Sequence, residues 1–75
     1  MLPALIMYNV HIAPSGKQWA VRRTGAKRAT KLFDTREKAM AWVWAWDNPN
    51  VRNVYVHDDG GRVVSRLRRQ WVEFA

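Results

Sequence analysis

The segment Phe33–Asp47 reads FDTREKAMAWVWAWD, and it decides the fold because it is the stretch with sustained helical spacing. Asp34 or Thr35 supplies a capping oxygen for the first free amides, and Glu37 lies in the first turn, at the positive end of the helix dipole. Asp47-Asn48-Pro49-Asn50 ends the helix, since a residue ahead of proline is pushed out of helical geometry. Between these stops Ala39, Val43 and Trp46 share one face, with Met40 and Trp42 on its flanks. Trp44 falls almost opposite. Three of the five tryptophans lie in this segment, so the helix carries a large share of the apolar surface.

Working outward, both flanks alternate with a period of two, as half-buried strands do. Tyr8, Val10 and Ile12 face one way, Asn9 and His11 the other. Pro14-Ser15-Gly16-Lys17 has turn chemistry. Gln18 to Arg23 then returns with Trp19 and Val21 inward and Ala20 and Arg22 outward. Gly25 marks another turn, and Ala29 to Phe33 is long enough for a short third strand. Either Leu32 or Phe33 points into the core; Phe33 is the better anchor, able to pack on the first helical turn as a hydrophobic staple. Lys31 would share its face at an edge, stem covered and ammonium wet. Beyond the helix, Val51 to His57 places Val54 and Val56 inward and Tyr55 and His57 outward. Asp58-Asp59-Gly60-Gly61 is a hairpin signal. Arg62 to Leu67 returns with Val63 and Leu67 on one face and Arg62, Val64 and Arg66 on the other.

The expected fold is therefore α+β: an antiparallel sheet in the order β-β-β-α-β-β with one helix packed on one face. Val10, Ile12, Trp19, Val21, Phe33, Ala39, Val43, Trp46, Val54 and Val56 would fill the space between the layers. Residues 1–75 make a single domain, with 1–7 a frayed or partner-bound extension and 66–75 a basic, then aromatic, tail. A chain this short buries only about 60% of its unfolded surface, so the core is thin. It contains no cysteine, hence neither a disulfide nor a thiolate metal site. That composition fits a cytoplasmic protein, in the host cell if phage-encoded. The opening apolar run lacks a charged start and is far too short to span a bilayer, so no membrane role is expected.

The run Gly16–Ala39, GKQWAVRRTGAKRATKLFDTREKA, with Val56-His57-Asp58-Asp59-Gly60-Gly61-Arg62 further on, resembles a family of small uncharacterised bacterial and phage domains. The family pattern is a valine- and histidine-containing strand, a tryptophan hairpin, a basic turn, one helix, then V-x-H-x-x-x-G-R. The resemblance covers Asn9 to about Val64, and the tail from Arg66 departs from it. It implies a fold and brings no activity with it. The helix start is also similar to that of small three-stranded DNA-binding domains, in which a sheet enters the major groove; that likeness is one of layout.

Thirteen Lys and Arg against six Asp and Glu leave a formal charge of +7, which attracts phosphates, anionic lipid or an acidic protein, or simply keeps a tryptophan-rich domain soluble. The outward sheet face would collect Asn9, His11, Arg22, Tyr55, His57, Arg62 and Arg66. Cations interleaved with rings suit nucleic acid, although any one-sided sheet shows polar groups to water. The basic stretch Arg22, Arg23, Lys27, Arg28 and Lys31 would hold phosphates while Arg62 and Arg66 approach grooves or bases. Against this, Asp34 and Glu37 are near enough in sequence to pair with that stretch. His11 and His57 would be cross-strand neighbours, as a structural pair or as metal ligands. Trp44, Trp71 and Phe74 are the candidate protein-contact residues, for a homodimer or a host protein. Trp71 equally suits a tail folded back over a sheet edge. No nucleophile–base pairing, metal-ligand spacing or phosphate loop is present. The expectation is a non-catalytic module without cofactor or metal. It would bind nucleic acid, DNA before RNA; the alternative is a protein-interaction module.

Overall fold

The computed structural model describes residues 7–46, 48–67 and 71–73, with 67 and 71–73 described by their backbone. The chain forms β1 (Tyr8–Ser15), β2 (Gln18–Arg23), β3 (Lys31–Phe33), α1 (Arg36–Ala45), β4 (Val51–His57), β5 (Val63–Leu67) and β6 (Trp71–Glu73). The strands make one six-stranded sheet in the order β3-β2-β1-β4-β5-β6. All neighbours are antiparallel except β1 and β4, which run parallel with Val10 beside Val54 and Ile12 beside Val56.

The class is α+β as expected, but the sheet is mixed and has an additional strand. Each element reverses the chain: β2 runs against β1, β3 with it, α1 back along the sheet, and β4 forward again. The place left beside β1 is opposite β2, so β4 enters there parallel to β1. A helix between two strands acts as one more reversal, which a purely antiparallel reading overlooks. The extra strand is β6, whose backbone pairs along β5 and continues the sheet at that edge. Residues 1–6 of the expected extension, and Phe74, lie outside the described residues.

Thr35, of the two cap candidates, caps α1: its backbone is extended and its Oγ1 accepts the Lys38 amide at 3.1 Å. At the other end the Trp46 amide donates to the Val43 carbonyl at 3.1 Å, tightening the last turn. Asn48 then ties three elements together. Its Oδ1 accepts the Asn50 amide at 3.0 Å, and its Nδ2 donates to the Tyr8 hydroxyl at 2.8 Å. The Tyr8 amide donates to the Asn50 carbonyl at 2.9 Å, so the end of the helix is pinned where β1 begins and β4 follows.

Helix α1 lies over β1, β2 and β3. Val10, Ile12, Val21, Ala39, Val43, Val54 and Val56 form the buried centre, ringed by half-buried Tyr8, Trp19, Phe33, Met40, Trp42, Trp46, Val51 and Val64. All ten residues expected in the core lie in these two shells, with the β-branched side chains inside and the rings around them. Phe33, not Leu32, faces the helix, but it meets Trp42 at 5.7 Å between ring centroids, deeper along the helix than a staple on the first turn.

The expected facing of β5 is the second correction. A bulge between Val56 and His57 sets Ser65 against Val56 but Val63 against His57, adding one residue on β5. Val64 consequently packs on the core, Ser65 is buried, and Val63 is exposed. The extra residue breaks the period-two alternation, so Val63 lies on the face of His57 and Val64 turns inward.

Ile12 is fully buried at the centre of the sheet, whereas Leu32 is 46% exposed on an edge strand. Replacing Ile12 with alanine is expected to cost about 2–5 kcal/mol in urea unfolding, and Leu32→Ala no more than about 0.5 kcal/mol. Similar losses at both positions would contradict this packing.

Candidate functional site

On the side of the sheet away from the helix, Arg22, His11, Tyr55 and Arg66 stand in one row across β2, β1, β4 and β5, each opposite the next in register. The rings of His11 and Tyr55 stack at 5.3 Å and 27°. They face each other along the row, so their edges, not their faces, meet solvent. The Arg22 Nε is shielded from solvent and has no hydrogen-bond partner among the described residues. Beside the row, the Asn53 side-chain amide donates to Asn9 Oδ1 at 3.2 Å.

A hydrogen-bond relay crosses this face. His57 Nδ1 lies 2.9 Å from the Gly61 carbonyl, His11 Nδ1 lies 2.8 Å from His57 Nε2, and His11 Nε2 lies 2.9 Å from Thr24 Oγ1. A carbonyl only accepts, so His57 Nδ1 carries a proton, and a neutral His57 then offers Nε2 as acceptor to His11 Nδ1–H. Neutral His11 accepts from the Thr24 hydroxyl. Charged His11 donates to it, and that hydroxyl turns to the Asn9 carbonyl at 3.3 Å. Charging both rings would set N–H against N–H at the 2.8 Å contact. Partial burial, then the neighbouring His57, lowers the His11 pKa from its ordinary 6.5. The facing nitrogens are engaged with each other, and among the described residues no cluster of three His, Cys, Asp or Glu forms a metal-ligand set.

Next to the row the face is hollow. A cleft of about 230 Å³ has the cross-strand pair Ala13 and Ala20 in its lining, with Arg22, His11 and Thr24 among its walls. The two alanines and Thr24 were not legible as site residues. The signal available was that small side chains fall directly opposite each other once the hairpin register is known.

The seven cations expected to act together are divided by the fold. Arg22 and Arg66 share the outer row. Arg23 pairs with Val10 in register, and its guanidinium lies 4.4 Å over the Tyr8 ring on the helix side. Lys31 is also on the helix side, its ammonium 5.6 Å from the Trp42 ring and 5.9 Å from Phe33. Successive residues of a strand point to opposite faces, so the Arg22 and Arg23 side chains leave β2 on different sides, although both residues border the cleft. Lys27 and Arg28 are exposed on the loop between β2 and β3. Arg62 sits at the β4–β5 turn, where its amide donates to Asp58 Oδ1 at 2.9 Å. That bond, with the Gly60 amide and the Arg62 charge, lowers the Asp58 pKa despite some opposing desolvation.

The carboxylates are gathered elsewhere. Asp34, Glu37, Asp58 and Asp59, the four whose side chains are described, line one cleft of about 340 Å³ with Trp19, Thr35 and Arg36. The ion pairs among the described residues are Arg36–Glu37 and Lys38–Asp34, both at 3.8 Å and exposed. Asp34 and Glu37 therefore pair on the helix and leave the β2–β3 loop without them. Trp44 is 57% exposed, beside a smaller cleft shared with Trp46, Asn48, Val51 and Arg52. Trp71 has its backbone in β6, against the edge of β5. No described helix is long and apolar enough to cross a membrane.

The histidine relay sets a pH dependence. His11 takes up its proton less readily in the fold than in the unfolded chain, so unfolding binds protons and stability rises with pH. The contribution is complete above about pH 7.5, falls away as pH drops through 6.5, and levels off below the folded pKa. His57 and Tyr55 on β4, Arg22 on β2 and Thr24 after it are the groups that face the ring. Thermal unfolding of the native chain and of His11→Gln between about pH 5 and 8 is expected to show a shallower slope for the variant. Equal slopes would remove His11 as the source.

The sequence profile of a family described as "uncharacterized protein conserved in bacteria" (DUF2188) matches residues 10–68. No curated protein and no solved structure matches the chain. The matched span takes in the helix, β2 to β5, all of β1 beyond its first two residues, both histidines and the alanine-floored cleft. With most of its length inside that profile, the chain belongs to this bacterial family.

Proposed function

We propose that this domain binds nucleic acid through the outer face of its sheet and the β2–β3 loop, and that it does so without catalysis. The observation that carries the reading is the sorting of charge. The four described carboxylates converge on the cleft between the helix start and the β4–β5 turn. Arg22, Lys27 and Arg28 lie apart from them, outside the ion pairs of the described residues. Cations set apart from the described carboxylates keep their field for an external polyanion. Arg22 and Arg66 would meet phosphates at either end of the row, with Lys27 and Arg28 gripping the backbone beyond the sheet edge. The Arg23 guanidinium and the Lys31 ammonium, engaged with rings on the opposite side, take no part, though Arg23 also borders the cleft.

A second reading, contact with another protein, draws on the exposure of Trp44 on the outer side of α1. Sedimentation of the native chain and of Trp44→Ala separates it from the first.

The test is fluorescence anisotropy with labelled DNA and RNA over a salt series. About four phosphate contacts give a log–log slope near −4 on a duplex and near −3 on a single strand. Arg22→Gln, Lys27→Gln and Arg28→Gln should each reduce that slope by roughly one unit on a duplex and somewhat less on a single strand. Absence of binding at low salt, or binding indifferent to salt, would overturn the proposal.

A further inference from the structure

The hollow on the sheet face narrows the class of nucleic acid. Six strands at about 4.8 Å spacing make a surface roughly 24 Å across, twice the about 12 Å width of a B-form major groove, which admits a helix or a two-stranded ribbon. The sheet therefore cannot enter a groove broadside. Nor does its face protrude. Where side chains reaching for base edges would be needed, Ala13 and Ala20 leave a depression lined also by His11, Arg22 and Thr24.

We infer that this cleft seats one unstacked nucleotide of a single strand laid across the sheet, its base over Ala13 and Ala20 and its phosphate at Arg22. The inference rests on the nucleic-acid reading above. At about 230 Å³ the cleft falls short of the roughly 300–1,000 Å³ that encloses a whole small molecule, which suits one unit of a chain whose neighbours lie outside. Its lining supplies what a nucleotide needs. Ala13, with buried Ala20 beneath it, gives the floor the apolar character that a base requires. The Arg22 guanidinium offers several donors to phosphate oxygens. The Thr24 hydroxyl, joined to His11, turns as donor or acceptor toward a base or sugar edge. His11 and Tyr55 already stack on each other, so discrimination comes from the depth of the cleft and not from an open aromatic platform.

The experiment compares short oligothymidylate, oligouridylate and a DNA duplex on the intact chain, alongside Ala13→Ile. Isoleucine suits a strand and fills the hollow. The expected result is tighter binding of single strands than of the duplex, and a loss of about tenfold in single-strand affinity in Ala13→Ile with the salt slope kept. The two oligonucleotides distinguish DNA from RNA as the source of the seated unit. A second measurement does not depend on the variant's folding. Thymidine monophosphate added to the native protein should shift the backbone amide resonances of Ala13, Ala20, Arg22 and Thr24, and inorganic phosphate should leave those of Ala13 and Ala20 unmoved.

Salt-dependent binding with equal affinity for single and double strands, and no effect of Ala13→Ile, would overturn the cleft while leaving the broader reading intact. Phosphate alone shifting Ala13 and Ala20 would also overturn it. Failure of every nucleic acid to bind would remove both.

Discussion

Side by side in the sheet, β1 and β4 bring Val10 and Ile12 against Val54 and Val56, in one buried cluster with Val43 and Ala39 of the helix. This parallel contact joins the two halves of a chain whose other pairings are local hairpins. It requires β4 to return next to β1, and the return is held by Asn48, whose amide reaches the Tyr8 hydroxyl while its carbonyl oxygen shapes the turn into β4. Parallel strands need a crossover, and α1 is that crossover. The thin valine centre is dry because Trp19, Phe33, Trp42 and Trp46 pack around it. Trp42 and Trp46 lie 4.7 Å apart between ring centroids, closing one side of the layer.

The same contact builds the outer face. Because β1 and β4 are neighbours, His11 comes beside Tyr55 and within hydrogen-bond distance of His57, though the two histidines are 46 positions apart in sequence. Arg22 and Arg66 then take the ends of the row through the hairpin partners of β1 and β4. A polar pair at this seam has to satisfy its own hydrogen bonds, and the relay from Gly61 to Thr24 does so in either charge state of His11. A bulky side chain at Ala13 or Ala20 would close the adjacent hollow. The architecture accordingly yields a partly hollow face opposite the helix with Arg22 and Arg66 in its row, and the described carboxylates collected near the helix start.

Much of this fold can be read directly from residues. Turn chemistry at Gly16 and Gly61, both with positive φ, and alternation along Tyr8–Ile12, Trp19–Arg22 and Val54–His57 identify three strands and their facings. Helical spacing from Ala39 to Trp46 identifies the buried face of α1, and the exposure of Trp44 follows from the same period. These are local properties, set by how a side chain projects from a backbone of known pitch. The facing of β5 is not local, because a bulge changes phase without a glycine or proline to mark it, and Val64 turns inward on that account.

The candidate site was legible in its membership more than in its arrangement. His11, Tyr55, Arg22 and Arg66 could be assigned to the outer face by alternation alone. The separation of Arg23 and Lys31 from Arg22 followed from the same rule, but charge clustered along the sequence concealed it. By itself, the sequence determined the helix and the first five strands, the ten expected core residues and the excess of positive charge, since each depends on neighbours within a turn or a hairpin. Only the tertiary structure decided that β4 lies parallel to β1, that two distant histidines meet in one hydrogen-bonded relay, that small residues leave a hollow, and that the described carboxylates gather in a cleft apart from Arg22, Lys27 and Arg28. Those outcomes depend on which strands become neighbours and in what register, and that choice belongs to the packed chain as a whole.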